Sequence, residues 1–307
     1  AFRVRRSVCG ARGAGRTTRP ASRGAPFRLV RLRTGSRRDF RRMLTWSMLL
    51  FPLLGALAGV LAGLLGIGGG LVLVTGLVWV LPLFDVPRDA AMHAALATAL
   101  ASIILTGASS ARAHHLRGSV LWRTVAWMVP GVLVGAWLGS KLAILLDGQV
   151  LKYCVVAYCG IAGTQLLLSR TPAAGGEAIV PRGVGLTGAG AGIGALSSVV
   201  GIGGGSMTVP LLVWLGVSPV RAVGTSSALG IFIALSAAAG YALQAPAGVL
   251  PPPSWGYVYL PGAIGIALAS VLVAPYGTRL AHALSGRALK RVFALFLYAI
   301  GASLLFL

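Results

Sequence analysis

The sequence predicts an all-α integral membrane protein built from two related halves. Its composition, its long uncharged stretches and its duplicated motifs support this prediction. Of the 307 residues, 56% are hydrophobic and only 10% are charged, and the mean hydropathy is +0.85. A water-soluble domain cannot bury so much apolar surface while offering so few charges to water. Several stretches exceed the roughly 20 apolar residues that cross a bilayer, so we expect a multi-pass membrane protein.

About eight apolar segments follow one another along the chain. The longest internal linker, residues 170–182, is rich in Gly, Pro and charge, which is typical of a boundary. We therefore predict a first membrane repeat over residues 43–169 and a second over residues 183–307, each with about four helices. The apolar segments cover residues 46–84, 90–111, 124–146, 150–169, 183–217, 221–243, 257–276 and 288–307.

Three motifs recur in the same order in both halves. Residues 66–70 and 201–205 both have the sequence GIGGG, and Pro130-Gly131 corresponds to Pro261-Gly262. The sequence GSKLAILLDGQVLK, at 139–152, aligns without a gap to GTRLAHALSGRALK, at 277–290. Three matches in one order indicate an internal duplication.

Each GIGGG run lies inside an uncharged stretch that is too long for one transmembrane helix. Between Arg42 and Asp85 there are 42 residues without an ionisable side chain, and between Arg182 and Arg221 there are 38. A single helix of that length measures about 60 Å, twice the roughly 30 Å hydrocarbon core. Clustered glycines favour an interruption there. If each interrupted segment crosses the membrane, the repeats are parallel; if each is re-entrant, the repeats are inverted.

The interruptions are the first candidate for a binding site. A broken helix exposes backbone N–H and C=O groups, which are tolerated only inside protein or beside a water-filled cavity. Paired interruptions in two repeats point to the binding site of a transporter, and the helix that restarts there presents a positive dipole end to an anion. Close helix packing is the alternative, and it explains the spacing of Gly131, Gly135 and Gly139. The candidate glycines are Gly68, Gly69, Gly70, Gly203, Gly204 and Gly205.

Hydroxyl side chains that follow each glycine run are the second candidate. They can complete an oxyanion shell without a fixed charge, or they can bond the carbonyl four residues earlier in their own helix. His93 begins the corresponding stretch of the first half and has two interpretations, an anion or proton site and a water-facing interfacial side chain. The hydroxyl candidates are Thr98, Ser206, Thr225, Ser226 and Ser227.

Acidic residues are absent from the apolar segments themselves. The four acids after Met43 (Asp85, Asp89, Asp147 and Glu177) lie in loops or at segment ends. Intramembrane carboxylates usually mark cation sites and proton relays, so their placement favours an anion. The three cysteines lack the spacing of a metal site. We predict no metal, no cofactor and no catalytic residue, and hence a protein that is not an enzyme.

Residues 1–42 differ sharply from the rest of the chain. They contain 14 of the 27 basic residues, all arginines, and one acid. We expect Met43 to be the natural start and residues 1–42 to be a basic leader, disordered or non-native. A basic arm on anionic lipid and an Arg-rich transit peptide are the alternatives. We expect no nucleic-acid partner, because no nucleic-acid-binding fold signal accompanies the arginines.

The duplicated set of motifs resembles the TauE/SafE family, also described as sulfite exporters or probable membrane transporter proteins. The likeness rests on GIGGG and the apolar run after it, followed by HAALATAL at 93–100 and AVGTSSAL at 222–229, and it covers residues 47 to 307. It implies a multi-pass permease of the cytoplasmic membrane for small sulfur-containing or organic anions such as sulfite, sulfonates or thiosulfate. By position it places the site at glycines 68–70 and 203–205, with Thr98, Thr225 and Ser226. Ala99 stands where the second half has Ser226, so substrate coordination is expected to be asymmetric.

The expected mechanism is secondary transport by alternating access, with one half rocking against the other. The proton gradient or the gradient of the anion itself would drive it, since no ATP-binding motif is present. An anion channel that uses the same glycine interruptions is the alternative function.

Overall fold

The computed structural model describes residues 48–65, 69–168, 181–246, 248–283 and 286–306, and these are almost entirely helical. A 3-10 turn, Leu81–Phe84, follows the second helix, and two short strands, β1 (Ser254–Trp255) and β2 (Val258–Tyr259), pair antiparallel. This confirms the all-α prediction. The helices are α1 Leu50–Leu65, α2 Gly70–Val80, α3 Arg88–His115, α4 Trp122–Leu145, α5 Gly148–Leu168, α6 Val184–Val200, α7 Gly205–Trp214, α8 Pro219–Leu243, α9 Leu260–Ala283 and α10 Gly286–Leu305.

Four of the described helices are long and apolar enough to cross a bilayer, namely α3, α4, α8 and the first 18 residues of α9. Shorter apolar helices make up much of the rest of the described chain, and they include both helices of each interrupted segment. The count of about eight segments therefore stays a prediction. The predicted leader, residues 1–42, and most of the predicted linker lie outside the described residues.

The first interrupted segment turns back on itself. The ring of Phe51, at the start of α1, lies 5.0 Å from the ring of Phe84, which follows α2. A Cβ atom placed on Gly76 of α2 would lie 2.6 Å from the side chain of Leu54 in α1. Residues on opposite sides of the glycine run touch only if α1 and α2 lie side by side. Helices α1 and α2 therefore form a helical hairpin, which together with the 3-10 turn we name hairpin 1.

The second interrupted segment also turns back. Thr124 Oγ1, in the first turn of α4, donates a hydrogen bond of 3.1 Å to the carbonyl of Pro181, just before α6. Leu212 and Val217, at the far end of the same segment, pack with Leu121, which directly precedes α4. Both ends of residues 184–217 therefore meet at the start of α4, and we name this segment hairpin 2.

The hairpins enter from opposite faces of the protein. The open end of hairpin 1 lies beside Tyr259, because the rings of Phe51 and Tyr259 are 6.1 Å apart; we name this face 1. The open end of hairpin 2 lies at the start of α4, on face 2. His93 connects the far end of α4 to face 1, because its Nε2 contacts the Leu146 carbonyl and its ring stacks on Tyr257. Helix α4 therefore runs from face 2 to face 1, whereas α9 starts at face 1, so the two helices begin on opposite faces; whether the two halves are inverted repeats stays a prediction.

Helices of the two predicted repeats pack against each other through glycine. Gly55 and Gly59 of α1 lie against the backbone of α9, and Gly131, Gly135 and Gly139 of α4 lie against that of α6. A Cβ atom at any of these positions would overlap a backbone carbonyl of the partner helix. The packing explanation of the α4 glycines is confirmed. As a result, α1 with α9 and α6 with α4 form two closely packed pairs around the central helices α3 and α8.

Candidate functional site

The tips of the two hairpins meet in the middle of the protein. A Cβ atom placed on Gly70 would overlap the carbonyl oxygen of Gly201 and lie 3.0 Å from Ile103 Cδ1. One placed on Gly230 would lie 2.7 Å from the carbonyl oxygen of Gly203. Ile103 and Gly230 are close to the midpoints of α3 and α8. The glycine runs therefore contact each other about halfway between the two faces.

The backbone has the same conformation at both tips. Gly69 has φ +68° and ψ +10° directly before α2, and Gly204 has φ +74° and ψ −9° directly before α7. Gly201, with φ +75°, ends α6 and donates its N–H to the Ser197 carbonyl over 2.9 Å. A positive φ is strained for most residues other than glycine, because glycine has no Cβ atom. Gly68, the remaining predicted glycine, lies outside the described residues.

Each tip presents the start of a helix to the middle of the protein. The first N–H groups of a helix have no acceptor within it, and they carry the positive end of the helix dipole. In α7 the N–H groups of Met207 and Thr208 donate hydrogen bonds of 3.2 and 2.9 Å to the Gly204 carbonyl. The backbone N–H groups before Met207 therefore lie outside the hydrogen-bond pattern of the helix. Asp85, Asp89 and Asp147 are all exposed, so none of them opposes an anion at the tips.

Polar side chains gather at the tip of hairpin 2. Ser206, the second residue of α7, is 8% exposed and accepts a hydrogen bond from the hydroxyl of Tyr158 in α5. Ser197 Oγ is fully buried without a hydrogen-bond partner and lies 3.6 Å from a Cβ placed on Gly204. The two GIGGG runs are 135 residues apart, so Ser197 and Ser206 correspond to Ala62 and Leu71 in the first half. The corresponding part of hairpin 1 is therefore apolar.

A cavity of about 320 Å³, open to the protein surface, adjoins this tip between α5 and α7. Ser206, Tyr158 and Gln165 contribute its polar lining, and its other lining residues are apolar. The inner end of the cavity therefore lies at the start of α7, where the backbone is electropositive.

The family model for the sulfite exporter TauE/SafE matches residues 51–304, which include both hairpins. The chain belongs to this family. A probable membrane transporter protein of Haemophilus influenzae is 34% identical over 261 residues, which cover 84% of this chain and 97% of the relative. Another from Xylella fastidiosa is 35% identical over 184 residues, 58% of this chain and 68% of the relative. YunE of Bacillus subtilis, also named a probable membrane transporter protein, is 26% identical over 209 residues, covering 61% and 75%.

No solved structure matches the chain. The family match and the relatives confirm the resemblance seen in the sequence, and together with the apolar helices they show a multi-pass membrane transporter.

In this TauE/SafE protein the hydroxyls of α3 and α8 have partners within the protein. Thr98 Oγ1 accepts a hydrogen bond of 3.0 Å from the N–H of Tyr259. Thr225 Oγ1 accepts one of 3.0 Å from the N–H of Leu121 and donates one of 2.7 Å to the carbonyl of Arg221, in the preceding turn. Thr225 lies five residues before Gly230, or about 7.5 Å along the axis of α8, and Thr98 lies two residues after Leu96, whose side chain lies against Gly201.

The two serines beside Thr225 are also buried. Ser227 Oγ donates to the Val223 carbonyl over 3.0 Å and accepts from Ser110 Oγ over 3.2 Å, which connects α8 to α3. Ser226 is fully buried. The alternative that such hydroxyls bond a carbonyl four residues earlier describes Thr225 and Ser227 correctly. Their role in binding substrate stays a prediction.

His93 lies near face 1, in the second turn of α3. Its Nε2 is 3.1 Å from the Ala143 carbonyl and 3.0 Å from the Leu146 carbonyl, at the end of α4. The ring is 6% exposed, so the water-facing interpretation is wrong. His93 precedes Leu96, whose side chain lies against Gly201, by three residues, or about 4.5 Å along α3. The structure therefore brings the glycines and Ser206 together, and holds the His93 ring against the end of α4.

Two polar residues at the tip were missed by sequence reasoning. Ser197 had a visible signal, because it lies four residues before the second GIGGG run. Tyr158 had none, because α5 shows only an apolar pattern and reaches Ser206 through tertiary packing.

Proposed function

We propose that this protein is a secondary transporter of small sulfur-containing or organic anions, such as sulfite, sulfonates or thiosulfate, in the cell membrane. The meeting of the two hairpin tips supports the proposal. Because hairpin 1 enters from face 1 and hairpin 2 from face 2, a substrate at the tips is separated from each face by a different hairpin. That arrangement suits alternating access at a central site.

The proposed site binds the anion without a fixed positive charge. Among the described residues no Lys or Arg side chain is fully buried, so the attraction comes from the helix starts at Gly70 and Gly205 and from the Ser206 hydroxyl. The N–H groups and hydroxyl replace the water that the anion loses. A neutral site of this kind holds an anion less firmly than a buried arginine, which favours release on the other side.

The moving parts are proposed to be the two glycine-packed pairs. Helices α1 and α9 share close backbone contacts, as do α4 and α6, so each pair is expected to move as a unit. Rocking of one pair against the other about α3 and α8 would open one hairpin while the other stays closed. The proton gradient or the gradient of the anion would supply the driving force.

The test is anion uptake by liposomes that contain the purified full chain. Labelled sulfite, thiosulfate and sulfoacetate are offered with and without a pH gradient, and counterflow is measured by preloading. The variants Gly69→Leu and Gly204→Leu fill the tips at positions with positive φ. Gly192→Leu is the matched control, because a Cβ there meets no atom within 4 Å in the same hairpin that contains Gly204.

Saturable uptake with counterflow that both tip variants lose and Gly192→Leu keeps would support the proposal. Uptake that rises linearly with concentration and shows no counterflow would reassign the protein to the anion channels. Normal transport by correctly folded tip variants would overturn the location of the site. Absence of uptake for every anion would overturn the substrate class.

A further inference from the structure

The cavity between α5 and α7 has no counterpart in the site predicted from the sequence. We infer that it receives the apolar part of an organic anion whose charged head binds at the tip of hairpin 2. The preferred substrate would then carry a hydrocarbon group of several carbons on a sulfonate or carboxylate head. This inference rests on the proposed function, since it extends the same site.

The size of the cavity exceeds what an inorganic oxyanion needs. Its volume is about 320 Å³, and it opens to the surface beside Ile161, Gln165 and Trp214, which are exposed. Sulfite has four heavy atoms and would occupy only a small part of this space. Pockets of about 300 Å³ and above, lined by apolar side chains with a few placed polar groups, are typical of organic ligands.

The lining is polar at its inner end and mostly apolar beyond it. Tyr158 and Ser206 form a hydrogen-bonded pair at the start of α7, and buried Ser197 Oγ lies beside the same turn without a partner. From Ser206 to Trp214, the last lining residue of α7, the helix rises about 12 Å. The apolar lining consists of Ile161, Ala162, Met207, Pro210, Leu211 and Trp214.

Both helices lead from the middle of the protein toward face 2. Helix α5 starts at face 1, where a Cβ placed on Gly148 would lie 3.2 Å from the Asp89 carbonyl, and α7 ends beside Leu121 on face 2. Gln165 therefore lies toward face 2 relative to Tyr158 on the same face of α5, at the spacing of two helical turns. An anion with its head at Ser206 would direct its hydrocarbon chain along α7 toward Trp214, which is 82% exposed.

The test measures binding to the purified full chain in detergent by titration calorimetry. The probes are sulfite and the sulfonates of methane, butane, hexane and benzene. Affinity is expected to rise about fourfold for each methylene that enters the cavity, until the chain reaches Trp214. Ser206→Ala and Tyr158→Phe should weaken binding of every probe, because both remove a hydroxyl at the head.

A pair of variants separates the cavity from the head site. Ala162→Phe fills the apolar part of the cavity, and it should reduce hexanesulfonate affinity to that of methanesulfonate while leaving sulfite unchanged. Ala157→Phe makes the same substitution on the same helix at an exposed residue that does not line the cavity, and it should leave the whole series unchanged.

Affinity that does not vary along the series, or that is unaffected by Ala162→Phe, would overturn the inference. Loss of a copurified phospholipid from Ala162→Phe with unchanged sulfonate binding would assign the cavity to lipid and also overturn it. In either case sulfite uptake by liposomes would still support the proposed function. Absence of uptake for every anion, including the longer sulfonates, would overturn the proposed function, whatever the binding series shows.

Discussion

The hydroxyl of Thr98 accepts a hydrogen bond from the backbone N–H of Tyr259, 3.0 Å away, in the other predicted repeat. Thr225 accepts one of the same length from the N–H of Leu121. Tyr259 directly precedes α9, and Leu121 directly precedes α4. Each threonine therefore satisfies a backbone donor at the start of a helix in the other repeat. The equal roles support the alignment of Thr98 with Thr225 that the motifs suggested.

Replacing these threonines by valine should lower stability more than it changes substrate affinity. Valine keeps the shape but removes the acceptor, so a buried N–H loses its partner, at a cost of about 1–3 kcal/mol for each site. Thermal unfolding of Thr98→Val and Thr225→Val in detergent measures the loss, and Thr98→Ser and Thr225→Ser, which keep the hydroxyl, should recover most of it. A large rise in transport KM with unchanged unfolding temperature would instead place these hydroxyls in contact with substrate.

The contact between the hairpin tips predicts opposite effects for two Gly→Ala substitutions. A methyl group on Gly70 would overlap the Gly201 carbonyl, so Gly70→Ala should destabilise the protein by about 1–3 kcal/mol and reduce transport. Gly192→Ala adds a methyl group where no atom lies within 4 Å, and alanine favours the helix by about 0.5–1 kcal/mol. Unfolding temperatures of the two variants provide the comparison. If Gly70→Ala unfolds at or above the wild-type temperature, the tips do not touch as described.

The glycine runs show how far sequence reasoning reaches in this fold. Three adjacent glycines predicted an interruption, and the positive φ of Gly69 and Gly204 is the local conformation that this composition permits. Whether each segment crossed or turned back was undecidable, because both arrangements satisfy the same lengths and the same hydropathy. The answer depends on contacts between residues distant in sequence, such as Phe51 with Phe84.

The polar side chains of the candidate site also differ in how far the sequence predicts them. Ser206 was predictable because it follows the second glycine run and begins a helix. The hydroxyls of Thr98 and Thr225 were equally visible, but their partners, Tyr259 and Leu121, directly precede α9 and α4, and no local pattern identifies them. Tyr158 joins the site only because α5 packs beside α7.

His93 is expected to stabilise the end of α4. His93→Phe keeps a ring to stack on Tyr257 but removes the nitrogen that contacts the Ala143 and Leu146 carbonyls, so a loss of about 1–3 kcal/mol is expected. His93→Gln keeps an N–H donor and should lose less. Uptake driven by a pH gradient, measured for the folded variants in liposomes, should keep its pH dependence. Loss of that dependence with unchanged stability would show that His93 carries protons.

Stability should fall at alkaline pH partly through two tyrosines on face 1. Burial raises the pKa of Tyr257 above its ordinary value of 10.0, and the negative charge of Asp89 raises it further; burial and Asp85 raise the pKa of Tyr259 in the same direction. The unfolded chain therefore ionises first as pH increases. The stabilisation is complete below about pH 10 and is lost as pH rises toward the higher pKa of the folded state.

Removing the two phenols should reduce this alkaline loss. The double variant Tyr257→Phe/Tyr259→Phe should lose less unfolding temperature between about pH 8 and pH 11 than the wild type, because phenylalanine has no proton to release. Tyr276→Phe is the matched control, since Tyr276 is 63% exposed, and it should follow the wild-type curve. Thermal unfolding in detergent at the two pH values measures the difference. An equal alkaline loss in the double variant and the wild type would show that the Tyr257 and Tyr259 phenols are ionised as easily in the folded protein as in the unfolded chain.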